Sequence, residues 1–362
     1  MRLLVLSSLI LILFQDLFAG QQKYYFYDPQ KNYGSEVMFN PGTVFLNGGF
    51  DVLRNGQKSK VVWDQPYSNG LKNVWYNITH PIQQVEAFGW KRFLTSEIFP
   101  LSTDAERLQY FPNYGNHLIG HGMKFIRLAE WYDSHGIKFP HLSAGLTAFG
   151  YAYLNEIVEN GHHDGVDVDP IADMIFFNPL GMLLFSTTWA KKFFSETIPL
   201  YDWSLQPVYN PLNGHLENAG EQYVLNYPLT DKYTIFFYWG TSGLLGLSYN
   251  VSGKDNISFG AGAIVNKLID RKLVKSKTFA KYVAPETIDG AVGAFYDRDH
   301  SLLASLIITG PVYYNARMNV YPGWLKFNNF SSGLFVGLGE LDKIQVGMTF
   351  IAIPIGIDLA VQ

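Results

Sequence analysis

From residue 233 to the C-terminus the chain alternates with a period of two, and no other feature constrains its fold as much. Tyr233, Ile235, Phe237 and Trp239 alternate with Thr234, Phe236 and Tyr238. Leu245, Leu247 and Tyr249 alternate with Gly246, Ser248 and Asn250, and Ile257, Phe259, Ala261 and Ala263 with Ser258, Gly260 and Gly262. Val312, Tyr314, Ala316 and Met318 stand opposite Tyr313, Asn315, Arg317 and Asn319. The last row sets Ile351, Ile353, Ile355, Ile357, Leu359 and Val361 against Ala352, Pro354, Gly356, Asp358, Ala360 and Gln362. Period two sends successive side chains to opposite faces of a strand. Turn signals such as Gly253-Lys254-Asp255-Asn256 and Gly339-Glu340-Leu341-Asp342 divide the region into roughly eight or nine strands.

One face of these strands is apolar, and the other is Gly, Ser, Asn and Ala. A half-wet soluble sheet carries more Lys and Glu on its wet face, whereas a barrel in lipid points apolar residues outward and lines its interior with small or polar ones. The fold class expected is therefore mainly β with an α-helical insert. It is an antiparallel outer-membrane-type β-barrel of about 8–12 strands, with three to four helices packed in or against it. Charged residues make up 16% and aromatic residues 16%, which fits a lipid-facing wall with aromatic rims. The chain ends on Gln362, where bacterial outer-membrane barrels commonly carry an aromatic. The basic, aperiodic residues 267–281 read as a long loop.

The first residues, MRLLVLSSLILILFQDLFAG, have the form of a secretory signal, with Arg2, an apolar run from Leu3 to Phe14 and a small-residue cleavage site at Phe18-Ala19-Gly20. Cysteine is absent, so an exported chain of this length must be stabilised by a packed core or a membrane. The expected location is the bacterial outer membrane, with the periplasm as the alternative, and the expected partner is membrane lipid. A net charge of −4 without a basic aromatic run excludes a nucleic-acid partner. Asn-x-Ser/Thr triplets occur at Asn77, Asn250, Asn256 and Asn329, and matter only on a glycosylating pathway.

Residues 1–20 are thus a signal, 21–110 an N-terminal arm of strands with a short helix from about Pro81 to Leu94, 111–195 an apolar helical region, and 196–362 the barrel strands. The helical region predicts a helix from Asn116 to Gly136, a second from Leu142 to Asn160 and a third opening at Asp169-Pro170, broken near Asn178-Pro179. Spans near 142–158 and 171–190 leave a helical inner-membrane protein as a third architecture.

Asn77…His80-Pro81, Asn116-His117…His121, Asn155-Glu156-x-x-Glu159-Asn160 and Asp169-Pro170-x-x-Asp173…Asn178-Pro179-x-Gly181 together resemble an uncharacterised family of exported bacterial proteins, a domain of unknown function associated with the outer membrane. They cover about a third of the chain. The resemblance implies an envelope location and helices packed with a barrel, and it brings no activity.

The same stretch holds the candidate site. Glu156 and Glu159 sit in the last turn of a helix, against its dipole, and need a partner. The catalytic candidates are His121, Glu156, Glu159 and Asp173, as an acid–base pair or proton relay. His117 and His121, one turn apart, with Glu159 and His162 are the candidate ligands of a divalent metal. A metal-dependent envelope hydrolase acting on lipid or cell-wall material is the alternative function that set supports. A structural polar network tying the helices together is the other reading. No Gly-x-Ser-x-Gly elbow, thiol nucleophile or P-loop is present.

Overall fold

The computed structural model describes residues 24–54, 59–100, 111–163, 165–240, 242–275, 278–309, 314–327, 330–339, 344–351 and 353–361. The signal sequence, Asn329, Val312 and Tyr313 lie outside them. The chain divides into two compact units. A helical unit takes in residues up to 27, 65–191 and 268–286, and a sheet unit takes in 28–64, 192–267 and 287–362.

In the helical unit, Tyr67–Thr79 (α2) leads through His80 and Pro81 into Pro81–Phe88 (α3), and proline at the first turn suits the missing N–H. The expected helix to Leu94 breaks at Gly89, whose φ of +101° only glycine adopts without strain. The central helix, His121–Ser134 (α4), is buried along its whole first half, from His121 to Glu130. Pro140–Glu159 (α5) and Asn178–Ser186 (α6) pack against it. At the α4–α6 crossing a Cβ on Gly122 would stand 2.5 Å from the Gly181 carbonyl, so the backbones touch there. Pro179 was expected to break the third helix. The disruption is absorbed one turn earlier, where Ala172–Phe177 is π-helical, a widened turn that accommodates a proline lacking its N–H.

The N-terminal arm differs from expectation. Residues 28–54 form no strand but a helix, Pro41–Gly49 (α1), flanked by short helical turns. Asn40 caps α1 by accepting from Thr43 N at 3.0 Å, and Pro41 opens it. Side-chain capping here outweighs the strand propensity of Val44-Phe45-Leu46.

The sheet unit is a single large mixed sheet. Its strands are Leu200–Asp202 (β1), Val208–Asn210 (β2), His215–Glu217 (β3), Tyr223–Pro228 (β4), Tyr233–Trp239 (β5), Ser242–Asn250 (β6), Asp255–Lys275 (β7), Thr278–Arg298 (β8), Ser301–Thr309 (β9), Ala316–Val320 (β10), Lys326–Phe327 (β11), Phe330–Leu338 (β12), Ile344–Phe350 (β13) and Gly356–Val361 (β14). The pairing path runs β1-β4-β5-β6-β7-β8-β9-β10-β12-β13-β14-β2-β3, an open order of 13 strands with β11 beside β12. All pairs with a described register are antiparallel except β14–β2. Of the stretch 267–281, expected as a loop, the described residues 267–275 and 278–281 lie in β7 and β8. A ladder is made by backbone groups and needs no alternation.

Alternation does predict which face is which. Leu245, Leu247, Phe259, Val292, Ile308 and Ile357 are exposed, Phe259 at 64%. Their neighbours Leu244, Ser248, Ser258, Ala291, Ser305 and Asp358 are buried. Residues 28–54 and 59–64 lie on the buried face. Met38 packs with Phe236, Tyr238, Leu244, Phe295 and Ile307. Gly34 N donates to Pro322 O, and Thr43 Oγ1 to Pro354 O, at the end of the sheet carrying the β8–β9 and β13–β14 turns. Asn47 bonds Leu205 O and Gly220 N midway, and Val62 N donates to Gly214 O at the β2–β3 turn. The segment therefore runs the length of the inner face.

Candidate functional site

Several unrelated elements of the helical unit bring acids, amides and one imidazole to one place. Three of the contributors, Glu97, His117 and Asp173, sit in π-helical stretches, Leu94–Ile98, Phe111–Gly120 and Ala172–Phe177. Such turns are rare and concentrate at functional sites. His117 bridges two partners, with Nε2 3.1 Å from Asp173 Oδ2 and Nδ1 3.1 Å from Asn178 Oδ1. Glu156, from the last turn of α5, hydrogen-bonds the Asp173 carboxylate. Asn160 Nδ2 caps the same turn by donating to Glu156 O at 2.9 Å. The misfit of Glu156 with its helix dipole is thus relieved by proton sharing with Asp173.

Asn69 and Asn73, one turn apart on α2, hold the loop that follows α5. Asn69 Nδ2 donates to Gly161 O at 2.8 Å, and Asn73 Nδ2 donates to His163 O. Asn77, one turn further on the same face, is 1% exposed, and neither end of its amide has a partner among the described residues. Its burial also removes it as a glycan acceptor in the folded chain.

Burial sets the protonation of this cluster. It pushes the Glu97 carboxyl up to about 7, with Asp173 and Asp167 adding repulsion against the bond from Ser96. It pushes Asp173 up to about 6, opposed by His117. Glu156 and Asp169 are raised well above the carboxylate range, first by burial and then by the charge of Asp173, with Glu159 and Asp167 adding to it at Glu156 and Glu156 and Glu159 at Asp169. His121 goes the other way, down to about 3 through burial and the neighbouring His117 and Lys124, so it is neutral at any ordinary pH.

The sequence candidates separate into two groups. His117, Glu156 and Asp173 are joined in one hydrogen-bonded chain, and Glu159 acts on it by charge. His121 is not in that chain: its Nδ1 bonds Tyr151 OH at 2.9 Å on α5. His117 lies in the π-helical stretch and His121 opens α4, and the two take different partners, Asn178 and Asp173 for His117 and Tyr151 for His121. His162 is exposed on the loop after α5. The expected ligand set is therefore not gathered, and among the described residues no three His, Asp or Glu are placed to share an ion. Nothing in the sequence around Glu97 marks it as a member, because it arrives from an element outside the focal stretch.

Known protein families, curated proteins and solved structures give no match. The family resemblance therefore rests on the short motifs alone.

A second polar network, unmarked in the sequence, lies in the sheet unit. Lys60 Nζ pairs with Glu217 Oε2 at 2.5 Å, with side chains 7% and 0% exposed. Tyr314 OH donates to the same oxygen at 2.6 Å and also contacts Gln345. Lys60 and Arg317 stand over the Tyr314 ring at 4.8 and 5.2 Å.

The acid cluster predicts a pH dependence. A carboxyl whose folded pKa is raised costs nothing below its unfolded value and destabilises progressively as pH rises to its folded value. The helical unit should therefore lose stability between about pH 4.5 and 7. Glu97→Gln should raise stability at pH 8 by about 3 kcal/mol and leave pH 4 unchanged. Hydrogen exchange of the α4 and α5 amides measures this, and equal protection in both proteins at pH 8 would count against it.

Proposed function

We propose that the sheet unit is a closed outer-membrane β-barrel whose interior is filled by its own residues 28–64. The observation that carries this is the outer face, where Leu245, Leu247, Phe259, Val292, Ile308 and Ile357 stand exposed, while Ser248, Ser258, Ser305 and Asp358 are buried on the inner face beside the aromatic cluster of Phe236, Tyr238 and Phe295. Water disfavours so apolar an outer row, and lipid favours it.

Register supports closure. β1–β4 pairs Leu200 with Leu225, and β2–β3 pairs Val208 with Glu217. The bonds Trp203 N to Gln222 O and Leu205 N to Gly220 O continue one ladder into the other without a slip. Counting β1 with β2 and β3 with β4 as two long strands reduces the thirteen strands of the path to eleven. The parallel pairing of Gly356 with Val208 then joins the last strand to the first. An odd-numbered meander starts and ends in the same direction, so its closing pair must be parallel. Tyr227, Tyr233 and Tyr249 are all exposed near the β4–β5 and β6–β7 turns, where a barrel carries its aromatic girdle.

The inner segment makes this a filled barrel and not an open pore. The helical alternative has less support. No single helix among the described residues is long and apolar enough to cross a membrane, and the one pair that passes by composition is bent by 81° at Thr187. The expected signal at residues 1–20 agrees with export, and the exported-family resemblance points to the same envelope. Fractionation of expressing cells is the test. The chain should remain in alkaline-washed membranes and migrate faster on gels unboiled than boiled. Recovery as a soluble periplasmic protein without detergent would overturn the reading.

A further inference from the structure

The sheet is not the only apolar surface that the fold leaves uncovered. In the helical unit Trp75, Trp90, Leu146, Phe149, Leu180 and Trp189 are each about half exposed or more, Trp189 at 64%. A water-facing domain rarely shows so many large apolar side chains together. The Phe93 and Phe176 rings, 6.0 Å apart, make the Trp90–Leu94 turn a neighbour of the π-helical stretch that leads into α6. Phe176 near the end of that stretch and Leu180 and Leu183 on α6 fall at helical spacing, all exposed.

Charge and shape identify the occupant. Trp90 is followed by Lys91 and Arg92, and Trp189 by Lys191. The Arg92 guanidinium lies over the Phe88 ring at 4.8 Å, and the Lys191 ammonium over the Tyr25 ring at 5.4 Å. Tryptophan beside a cation on an apolar face is the chemistry of the headgroup layer, where the ring sits at the acyl boundary and the ammonium or guanidinium reaches an anionic phosphate. The segment from Asp169 to Thr197 is apolar enough for a bilayer yet bent by 81°, which suits lying in the interface and not crossing it. A second protein copy would call for one self-complementary patch, without paired Trp and cations at two sites.

We infer that the helical unit docks on an anionic lipid surface through Trp90, Leu180, Leu183 and Trp189, with Lys91, Arg92 and Lys191 meeting lipid phosphates. This contact is separate from the sheet's outer wall and holds whether or not that wall lies in lipid.

The chain has no cysteine, so single cysteines can carry a probe without background. Trp90→Cys and Leu180→Cys, both at exposed positions, are labelled with bimane in the full chain, and Phe259→Cys serves as the sheet reporter. Vesicles contain phosphatidylglycerol and phosphatidylcholine brominated near the headgroup. The proposal expects emission at 90 and 180 to be roughly halved by the brominated lipid and spared by aqueous iodide. In Lys91→Gln/Arg92→Gln protein, quenching at 90 should weaken. Probes at 90 and 180 that are quenched by iodide and untouched by bromine would overturn the inference, as would protection from both by a second copy of the chain. Quenching at 259 alone leaves the barrel reading intact and removes this one, and quenching at 90 and 180 alone does the opposite.

Discussion

Phe259→Arg is expected to destabilise the protein folded in a bilayer by about 2–4 kcal/mol, the cost of a guanidinium on the lipid face of a barrel near the midplane. Phe259 is 64% exposed, and its cross-strand partner is Leu247, itself 54% exposed. At a position so open, water would accept the charge at a cost within about 0.5 kcal/mol. The same coordinates thus give two different numbers according to the solvent outside. Val251→Arg, in the β6–β7 turn beyond Tyr249 and 52% exposed, should cost less than about 1 kcal/mol in either case, because cost falls toward the rim. Urea titration of the chain folded into vesicles measures both. A Phe259→Arg cost no larger than that of Val251→Arg would contradict a lipid-facing wall.

The second large effect lies on the inner face. Lys60→Ala should cost about 3–5 kcal/mol, because it leaves the Glu217 carboxylate enclosed without its ammonium partner. Glu217→Leu should cost a similar amount by stranding Lys60, which is 7% exposed. The double variant Lys60→Met/Glu217→Leu should recover much of the loss, since a buried pair replaced by apolar residues is often near neutral. The consequence extends past stability. Lys60 belongs to the segment filling the inner face, and its neighbours Val61 and Val62 pair with His215 and Gly214. Loosening that end should give the proposed barrel a conductance in planar bilayers that the natural chain lacks. Single variants that unfold like the natural chain and stay electrically silent would show that this pair does not hold the segment.

The sequence exposed some of this fold and hid the rest for physical reasons. Strands β5, β6 and β7 were readable because a wall between two unlike media imposes strict alternation, and Leu245, Leu247 and Phe259 fall where the period puts them. Residues 267–275 and 278–281 were not readable as strand, because a ladder is made by backbone groups and their sequence does not alternate. Asn40-Pro41 carried a helix start, yet the β-branched and aromatic residues after it suggested strands. In the helical unit the last turn of α5 and Asp173 were visible as polar residues out of place. Their meeting with His117 was expected in general form. His121 bonds Tyr151 and not the acids, a tertiary contact that no spacing rule reports. Glu97 joined the cluster from another element, so only the tertiary structure could enlist it.

The most direct test of the proposed barrel is nitroxide scanning along β6, from position 243 to 249, in single-cysteine chains folded into lipid bilayers. Oxygen, which partitions into lipid, should relax labels at 245 and 247, and a water-soluble nickel chelate should not, while labels at 244 and 248 should be shielded from both. Strong relaxation by the nickel chelate at 245 and 247 would place water against that wall and contradict the account.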